Sequence, residues 1–337
     1  MTNRERFHLT MNGDGSVDRC PIIEWATWWD KTIKCWEKEK MPKGMTSMEL
    51  FDYFDLDRHC QFWFKHRKRN CPKPKWHGAP LIKSPDDYKQ IKKYILPDNA
   101  VKRELAKFME NRTDIENGET ILWYTLEGFF WFPRTLLGIE GHMYAFYDMP
   151  ELYHEICKDL LEWHFGVVEA FSEIAAADFM TFAEDMSYNL GPMISRECFE
   201  EFIEPYYKQL IPEIKKRGTR VILDSDGDIS SAVPWFIGAG IEGILPLERQ
   251  AGVDIAALQK KFPDFLWLGG FDKMSLLEGK AAIDGEFERL RPAIRRGKYI
   301  PSVDHQTPPG VSVENYRYYV KKLEHFCKQA CKGKNPR

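Results

Sequence analysis

From residue 120 onwards, short apolar runs alternate with longer segments of helical periodicity, and this alternation constrains the fold more than any other feature. Several of the longer segments end in glycine, which is a common helix stop signal. Strands joined by helices predict a parallel α/β sheet, because parallel strands need long crossover connections. The six runs are residues 121–128, 178–185, 219–228, 240–248, 264–272 and 297–305.

Two further apolar segments, residues 20–27 and 60–64, raise the predicted number of strands to eight. Eight parallel strands predict an α/β fold of the (β/α)8 TIM-barrel type. A chain of 337 residues is long enough for one such barrel. We therefore expect a single domain over residues 1–337, in which residues 1–120 form an N-terminal helical extension plus the first strands and residues 121–337 form the main barrel.

Acidic residues follow the predicted strands with a regularity that loop solvation alone does not explain. In a barrel the carboxyl ends of all strands lie on one face, and that face carries the active site. The pattern therefore predicts an acidic site at this face. Its members are Glu127, Glu184, Asp185, Asp224, Glu248, Asp272 and Asp304, the last followed by His305.

The densest group of acids is the segment RVILDSDGDIS, residues 220–230, which contains Asp224, Asp226 and Asp228. A calcium loop of the EF-hand type is excluded, because Ile229 and Trp235 occupy the positions of its required glycine and glutamate. A phosphatase nucleophile is disfavoured, since residue 228 is not threonine and the motif lies late in the chain. Helix capping by Asp226 and Asp228 stays open, because two serines and a helical segment follow them.

A zinc site has no local signature, because the sequence contains neither His-x-Cys nor His-x-x-x-His. Ligands could still converge from separate strands, with candidates Glu184, Asp224, Asp226, Asp304 and His305. His305 follows a predicted strand in SVDHQTPPG, where an imidazole suits either metal binding or proton transfer.

The overall charge of −3 and the lack of a basic tract argue against nucleic acid or an anionic membrane as the main partner. The one stretch dense in lysine and arginine, residues 65–75, contains prolines and predicts a solvated loop. No run of 18 apolar residues occurs, and the start MTNRERFHLT does not resemble a signal peptide, so a cytoplasmic protein is expected. Aromatic residues make up 14% of the chain, which permits an apolar pocket for an organic ligand.

Several segments together resemble the uroporphyrinogen decarboxylase superfamily. They are TLEGFFWFPRTLLG, GPMISRECFEEFIEPYYKQLIPEIKKRG, ILDSDGD, GIEGILPLERQAGVDIAALQKKFP, LWLGGFDK and YIPSVDHQTPPGVSVENYRYY, with PIIEW as a weaker match to the first strand of the family. The resemblance implies a (β/α)8 barrel with extra N-terminal helices. It also implies one of two activities, porphyrinogen decarboxylation or methyl transfer linked to cobalamin or another coenzyme.

The chain departs from both branches of this superfamily. His305 matches the C-terminal histidine of the decarboxylases, but PIIEWATWW lacks their arginines and Phe129 stands where they carry tyrosine. A porphyrinogen with many carboxylates would need those arginines. The methyltransferases carry His-x-Cys after the fifth strand, and here that position contains Asp224 and Asp226. Oxygen ligands or direct proton donors would replace thiolate-bound zinc.

The resemblance and the acidic pattern together favour a methyltransferase. We expect it to move a methyl group from a small substrate, such as a methoxylated one, to a corrinoid carried by a partner protein. The alternatives are a carboxy-lyase of the uroporphyrinogen decarboxylase type and a non-catalytic binding protein. A homodimer is compatible with this expectation. The predicted catalytic residues, which would also bind zinc, are Glu184, Asp224 and His305, and the predicted substrate contacts are Trp25, Glu127, Phe129, Tyr188, Asp226, Glu248, Asp272 and Asp304.

Overall fold

The computed structural model describes residues 1–332, with side chains described to residue 329. No helix in this part of the chain is both long and apolar enough to cross a membrane. Two short 3-10 helices occupy Lys92–Tyr94 and Arg249–Ala251. The α-helices are α1 (Asn3–Asn12), α2 (Asp30–Lys38), α3 (Ser47–Tyr53), α4 (Pro85–Ile91), α5 (Ala100–Glu116), α6 (Trp131–Leu137), α7 (Ile139–Asp148), α8 (Pro150–Ser172), α9 (Arg196–Phe202), α10 (Glu204–Lys215), α11 (Val233–Ala239), α12 (Ile255–Lys261), α13 (Ser275–Glu278), α14 (Lys280–Arg296) and α15 (Val313–Lys332).

The main sheet has seven strands, all parallel to their neighbours and arranged in chain order. A separate two-stranded antiparallel hairpin follows the third strand. The parallel α/β architecture and the seven strands predicted from residue 60 onwards are confirmed, although the first of them begins at residue 58. The main strands are β1 (Arg58–Trp63), β2 (Thr120–Glu127), β3 (Phe179–Ala183), β6 (Arg220–Asp224), β7 (Gly243–Leu245), β8 (Leu266–Phe271) and β9 (Tyr299–Val303), and the hairpin consists of β4 (Ser187–Tyr188) and β5 (Gly191–Pro192).

The eighth strand, expected at residues 20–27, is absent from the described structure. This segment nevertheless contacts both edge strands of the sheet. The backbone carbonyl of Glu24 lies 2.8 Å from Nε2 of His59 in β1, and the Trp25 indole N–H donates to the carbonyl of Val303 in β9 at 2.8 Å. The prediction of a strand failed because side chains, rather than backbone pairs, make these two hydrogen bonds.

Alternate residues of the strands form two separate apolar layers. In β2, Leu122, Tyr124 and Leu126 belong to the large outer core shared with the helices, whereas Ile121 and Trp123 belong to a smaller inner cluster. Since successive side chains of a strand point to opposite faces, the sheet curls around this inner cluster. Its other members are Phe7, Met11, Ile23, Phe179, Ile222, Leu245, Leu266, Leu268 and Ile300.

Helix α1 covers the amino-terminal edge of the sheet. A capping box between Thr2 and Glu5 begins the helix, and Phe7 stacks on Phe179 with ring centroids 5.1 Å apart. Arg4 fixes the helix to the start of β3 through a 2.8 Å ion pair with the buried carboxylate of Asp178. The opposite edge, where the strands end, carries the acidic residues.

Candidate active site

The acids predicted to follow the strands lie at the carboxyl edge of the sheet. Glu127 and Asp224 are the last residues of β2 and β6, whereas Asp272 and Asp304 directly follow β8 and β9. Glu248 lies three residues beyond the end of β7. Because the strands are parallel, all of these positions share one edge, which we call the mouth of the sheet.

Asp226 and His305 come together at the mouth. His305 Nε2 lies 3.8 Å from Asp226 Oδ2, and both side chains are about one-third exposed. His305 Nδ1 accepts the N–H of Gln306 at 2.8 Å, so the neutral imidazole carries its proton on Nε2 and presents it to Asp226. Burial and the nearby Lys273 lower the pKa of His305, which favours this neutral form.

Mutual repulsion among carboxylates shapes the protonation of this region. Burial, together with Asp185 and Glu248, raises the pKa of Asp226 to about 7, against a smaller opposing effect of Lys273. Burial also holds the pKa of Asp224 well above its usual range, and the neighbouring carboxylates of Asp185, Asp226 and Glu127 add to the shift. Protons are therefore retained near neutral pH in a group of acids that would ordinarily be fully ionised.

A tight turn fixes the direction of the Asp226 side chain. Gly227 adopts a φ of 82°, and a Cβ there would lie 2.7 Å from backbone atoms of Ser187 and Tyr188. The N–H of Asp226 donates to Asp185 Oδ1 at 3.3 Å, so three chain segments converge on the turn. Tyr188 itself is 49% exposed on the hairpin, beside the mouth.

Lys273 neutralises a second pair of acids at the mouth. Its ammonium lies 3.5 Å from Asp304 Oδ1 and 3.9 Å from Glu248 Oε1. The Asp304 carboxylate also accepts the backbone N–H groups of Arg249 and Lys273, at 2.9 and 3.1 Å. Glu248 Oε2 accepts the N–H of Gly227 at 3.0 Å. Both acids are thus held by hydrogen bonds and by Lys273, and their contacts with substrate stay a prediction.

Glu127 lies on the other side of the mouth, with two partners on the same oxygen. Its Oε1 accepts the Trp63 indole N–H at 3.1 Å and lies 3.1 Å from His66 Nδ1. Burial would raise the pKa of Glu127, but His66 and Trp63 outweigh it, and the pKa lies below its ordinary value. Its other oxygen, Oε2, is buried and has no hydrogen-bond partner among the described residues.

Glu184 is directed away from this group and into the helix layer. The residue is only 1% exposed. Its Oε2 accepts the N–H groups of Phe130 and Trp131 at the start of α6, both at 3.0 Å. Its Oε1 accepts the hydroxyl of Tyr207 at 2.5 Å. Burial raises its pKa to about 8, although these hydrogen bonds oppose the shift. Every contact supports a structural role, and none supports the predicted catalytic or metal-binding one.

The remaining predicted contacts differ in their access to the mouth. Phe129 is fully buried between Tyr206 and Tyr207, in the helix layer, so its position gives no support to the predicted substrate contact. Trp25 packs edge-on against His305 with ring centroids 6.5 Å apart, beside the mouth. Asp272 accepts the Gln250 amide and the N–H of Met274, both at 2.9 Å, which ties it to the local turn.

The residues do not fit the predicted zinc site. Among the described side chains, no group of three or more histidine, cysteine, aspartate or glutamate residues is arranged to hold a metal ion. Glu184 already accepts three hydrogen bonds from the protein and faces away from Asp226 and His305.

Three residues at the mouth were not among the predicted catalytic residues, metal ligands or substrate contacts. Asp185 was recognisable as a strand-end acid, and the two-residue period of a strand would have selected it over Glu184 as the inward-facing side chain. Lys273 follows β8 within LWLGGFDK, in a segment already singled out. His66 carries no local signal, since only the packing of the loop after β1 brings it to Glu127.

A curled parallel α/β sheet with acids gathered at its carboxyl edge is the arrangement of α/β-barrel enzymes. The chain belongs to the uroporphyrinogen decarboxylase (URO-D) family, whose model matches residues 76–326. This confirms the resemblance read from the sequence. A search of curated protein sequences gave no match.

Among solved structures, the chain is similar to a methyltransferase from Methanosarcina mazei. The TM-score is 0.70 at 14% identity, over 97% of this chain and 99% of the other, which shows a common fold. A more remote similarity, to a putative vitamin-B12-independent methionine synthase from Listeria monocytogenes, has a TM-score of 0.43 at 15% identity, over 92% and 96% of the two chains. That score is too low to support a conclusion.

Proposed function

We propose that this protein is a methyltransferase that moves a methyl group from a small substrate to a corrinoid carried by a partner protein. The observation that carries the proposal is the pairing of Asp226 with His305 at the acidic mouth, 3.8 Å apart. Membership of a family that includes methyltransferases, together with the fold shared with one of them, supports the same reaction class. We also propose that residues 20–27 close the barrel between β1 and β9 in place of an eighth strand.

The leaving atom of the substrate needs a proton when it departs as an alkoxide. Asp226 can donate that proton, because its pKa of about 7 leaves it partly protonated at neutral pH. The Nε2–H of His305 faces Oδ2 of Asp226, which leaves Oδ1 for the substrate. The rate should therefore be highest below pH 7 and fall as the pH rises through the pKa of Asp226.

The corrinoid supplies the nucleophile for the methyl carbon. Its partner protein must approach the mouth, where the hairpin of β4 and β5 presents Tyr188 and Leu190 to solvent, 49% and 83% exposed. The backbone of Ser187 and Tyr188 packs directly against Gly227, next to Asp226. An exposed apolar edge beside the acidic group suits a macrocycle that must reach the substrate.

Decarboxylation of a porphyrinogen is the alternative, and the electrostatics of the mouth disfavour it. Asp185, Asp224 and Asp226 would repel a substrate with many carboxylates. Lys273, the lysine of the mouth, is already engaged by Asp304 and Glu248. An assay of uroporphyrinogen for loss of carbon dioxide tests this alternative directly, and rapid turnover would reverse the ranking.

The main test measures methyl transfer to reduced cobalamin from a panel of methoxylated and other methylated donors, followed by the absorbance change of the corrinoid. Asp226→Asn should lower the rate by roughly 10²–10⁴-fold, the usual contribution of a general acid. Asp228→Asn is the matched control, because Asp228 lies in the same turn but only accepts the N–H of Ser230.

The proposal fails if no donor gives methyl transfer, or if Asp226→Asn and Asp228→Asn are equally active on a donor that does. His305→Gln should retain binding of the substrate but shift the pH profile, since the partner of Asp226 is changed. An unchanged profile would contradict the assigned pairing.

A further inference from the structure

When the acids of the mouth ionise, the protein balances only part of their charge. Glu248 and Asp304 share Lys273 as a counter-ion. In contrast, no lysine or arginine nitrogen of the described residues lies within 4.0 Å of the carboxylates of Asp224, Asp226 or Asp185. Three neighbouring acids therefore lack a cationic partner in direct contact, although Arg134 is close enough to lower the pKa of Asp185.

A second observation points to a ligand at the same place. Glu127 is only 5% exposed, yet its Oε2 has no hydrogen-bond partner among the described residues. A buried carboxylate oxygen without a partner is costly and usually indicates a missing ligand or water. Glu127 and Asp224 lie in register across the sheet, each paired with Ala183 of β3, and both occupy the face opposite to that of Leu126 and Leu223 in the outer core.

Aromatic side chains flank this acidic region on two sides. Trp25 lies against His305, and Trp63 donates its indole N–H to Oε1 of Glu127. Both indoles are half-buried, and the Trp63 ring already lies 5.2 Å from the ammonium of Lys65, so one of its faces contacts a cation within the protein. Indole faces and carboxylates together bind cations whose charge is spread over methyl groups, through cation–π attraction and ion pairing.

We propose that the substrate is a methylated onium cation, an ammonium or a sulfonium, bound by Asp224, Asp226 and Glu127 between Trp25 and Trp63. This inference rests on the proposed function and names its substrate class. A small inorganic cation would leave the two indoles unused, and a neutral ether would leave the acids in their protonated form. An onium cation favours the ionised carboxylates and so displaces the protons that they retain in its absence. The onium group satisfies both features at once.

Such a donor is also a competent one for methyl transfer. The bond between the methyl carbon and the nitrogen or sulfur breaks, and the methyl group passes to the nucleophile supplied by the corrinoid. The heteroatom keeps the electron pair of the broken bond and leaves as a neutral amine or thioether. An amine product then takes a proton from water. The carboxylates therefore bind the positively charged donor more tightly than the neutral thioether or amine that is left after transfer.

The test is calorimetric titration of the full chain without corrinoid, using tetramethylammonium, choline, trimethylsulfonium and 3,3-dimethylbutan-1-ol. The last compound is the neutral carbon analogue of choline. We expect choline to bind at least about tenfold more tightly than this alcohol, because an opposite charge at 4–6 Å is worth about one to three pKa units. Added salt should weaken binding of the cations alone.

Asp224→Asn and Glu127→Gln should each weaken choline binding by about tenfold, whereas Asp228→Asn should leave it unchanged. Asp224→Asn places a neutral amide of the same volume where a largely protonated carboxyl stands, so it is expected to fold. Equal binding of choline and its neutral analogue would overturn the inference. So would choline binding that survives both substitutions, or no onium binding by the folded protein.

The two proposals fail in different ways. Methyl transfer from a neutral ether without onium binding would overturn the inference and leave the methyltransferase in place. Onium binding sensitive to Asp224 and Glu127, with no methyl transfer from any donor, would instead leave a cation-binding protein. Comparison of trimethylsulfonium with tetramethylammonium then decides which heteroatom the site prefers.

Discussion

The role of Glu184 can be decided by removing its three hydrogen bonds. Glu184→Ala leaves the N–H groups of Phe130 and Trp131 and the Tyr207 hydroxyl without their acceptor, in a region that is almost fully buried. Each of the three unsatisfied buried donors costs about 1–2 kcal/mol, so the free energy of unfolding should fall by roughly 3–6 kcal/mol. That is a large part of the roughly 5–15 kcal/mol that stabilises a typical protein.

Thermal unfolding followed by circular dichroism measures this effect. For a large domain, about 1 kcal/mol corresponds to roughly 2 °C in Tm, so Glu184→Ala should lower Tm by roughly 6–12 °C. Glu184→Gln should cost much less, because its amide oxygen can accept both N–H groups and its NH2 can donate to Tyr207. Tyr207→Phe removes one hydrogen bond to the carboxyl and should cost about 1.5–3 kcal/mol.

The result that would refute this reasoning is specific. If Glu184→Ala melts within about 2 °C of the unmodified protein while Glu184→Gln abolishes methyl transfer, Glu184 acts in catalysis, as the sequence alone predicted. If Glu184→Gln keeps both its Tm and its activity, the carboxylate serves to anchor α6 against β3.

Two further predictions concern stability. Gly128→Ala should lower Tm strongly, because a Cβ at residue 128 would lie 1.8 Å from Glu184 Oε2. In contrast, a Cβ at Gly141 in α7 would meet nothing within 4 Å, so Gly141→Ala should stabilise the protein by about 0.5–1 kcal/mol. Equal Tm values for the two variants would contradict the close packing at residue 128. Burial raises the pKa of Glu24 to about 8, above its unfolded value, so its ionisation costs stability progressively as the pH rises from about 4.5 to 8. Glu24→Gln should therefore gain in Tm over the unmodified protein across this interval, and a difference that stays constant with pH would show that Glu24 does not titrate there.

The sequence by itself determined the parallel α/β architecture and the edge that carries the site. Apolar runs and helical periodicity are local properties of the chain, and the direction of a strand fixes which end an acid such as Asp224 occupies. Seven of the eight predicted strands were confirmed for this reason. The eighth failed because residues 20–27 have the apolar character of a strand but bond to the sheet edges through His59 and the Trp25 indole.

Which acids lie together depends on packing between distant segments of the chain. Glu184 and Asp185 are neighbours in the chain, yet one accepts hydrogen bonds in the helix layer and the other lies beside Asp226. Lys273 joins Asp304 and Glu248 only after three separate strands have been brought side by side. The direction of a side chain, its burial and its charged partner depend on packing between distant segments. A local pattern in the sequence therefore could not predict them.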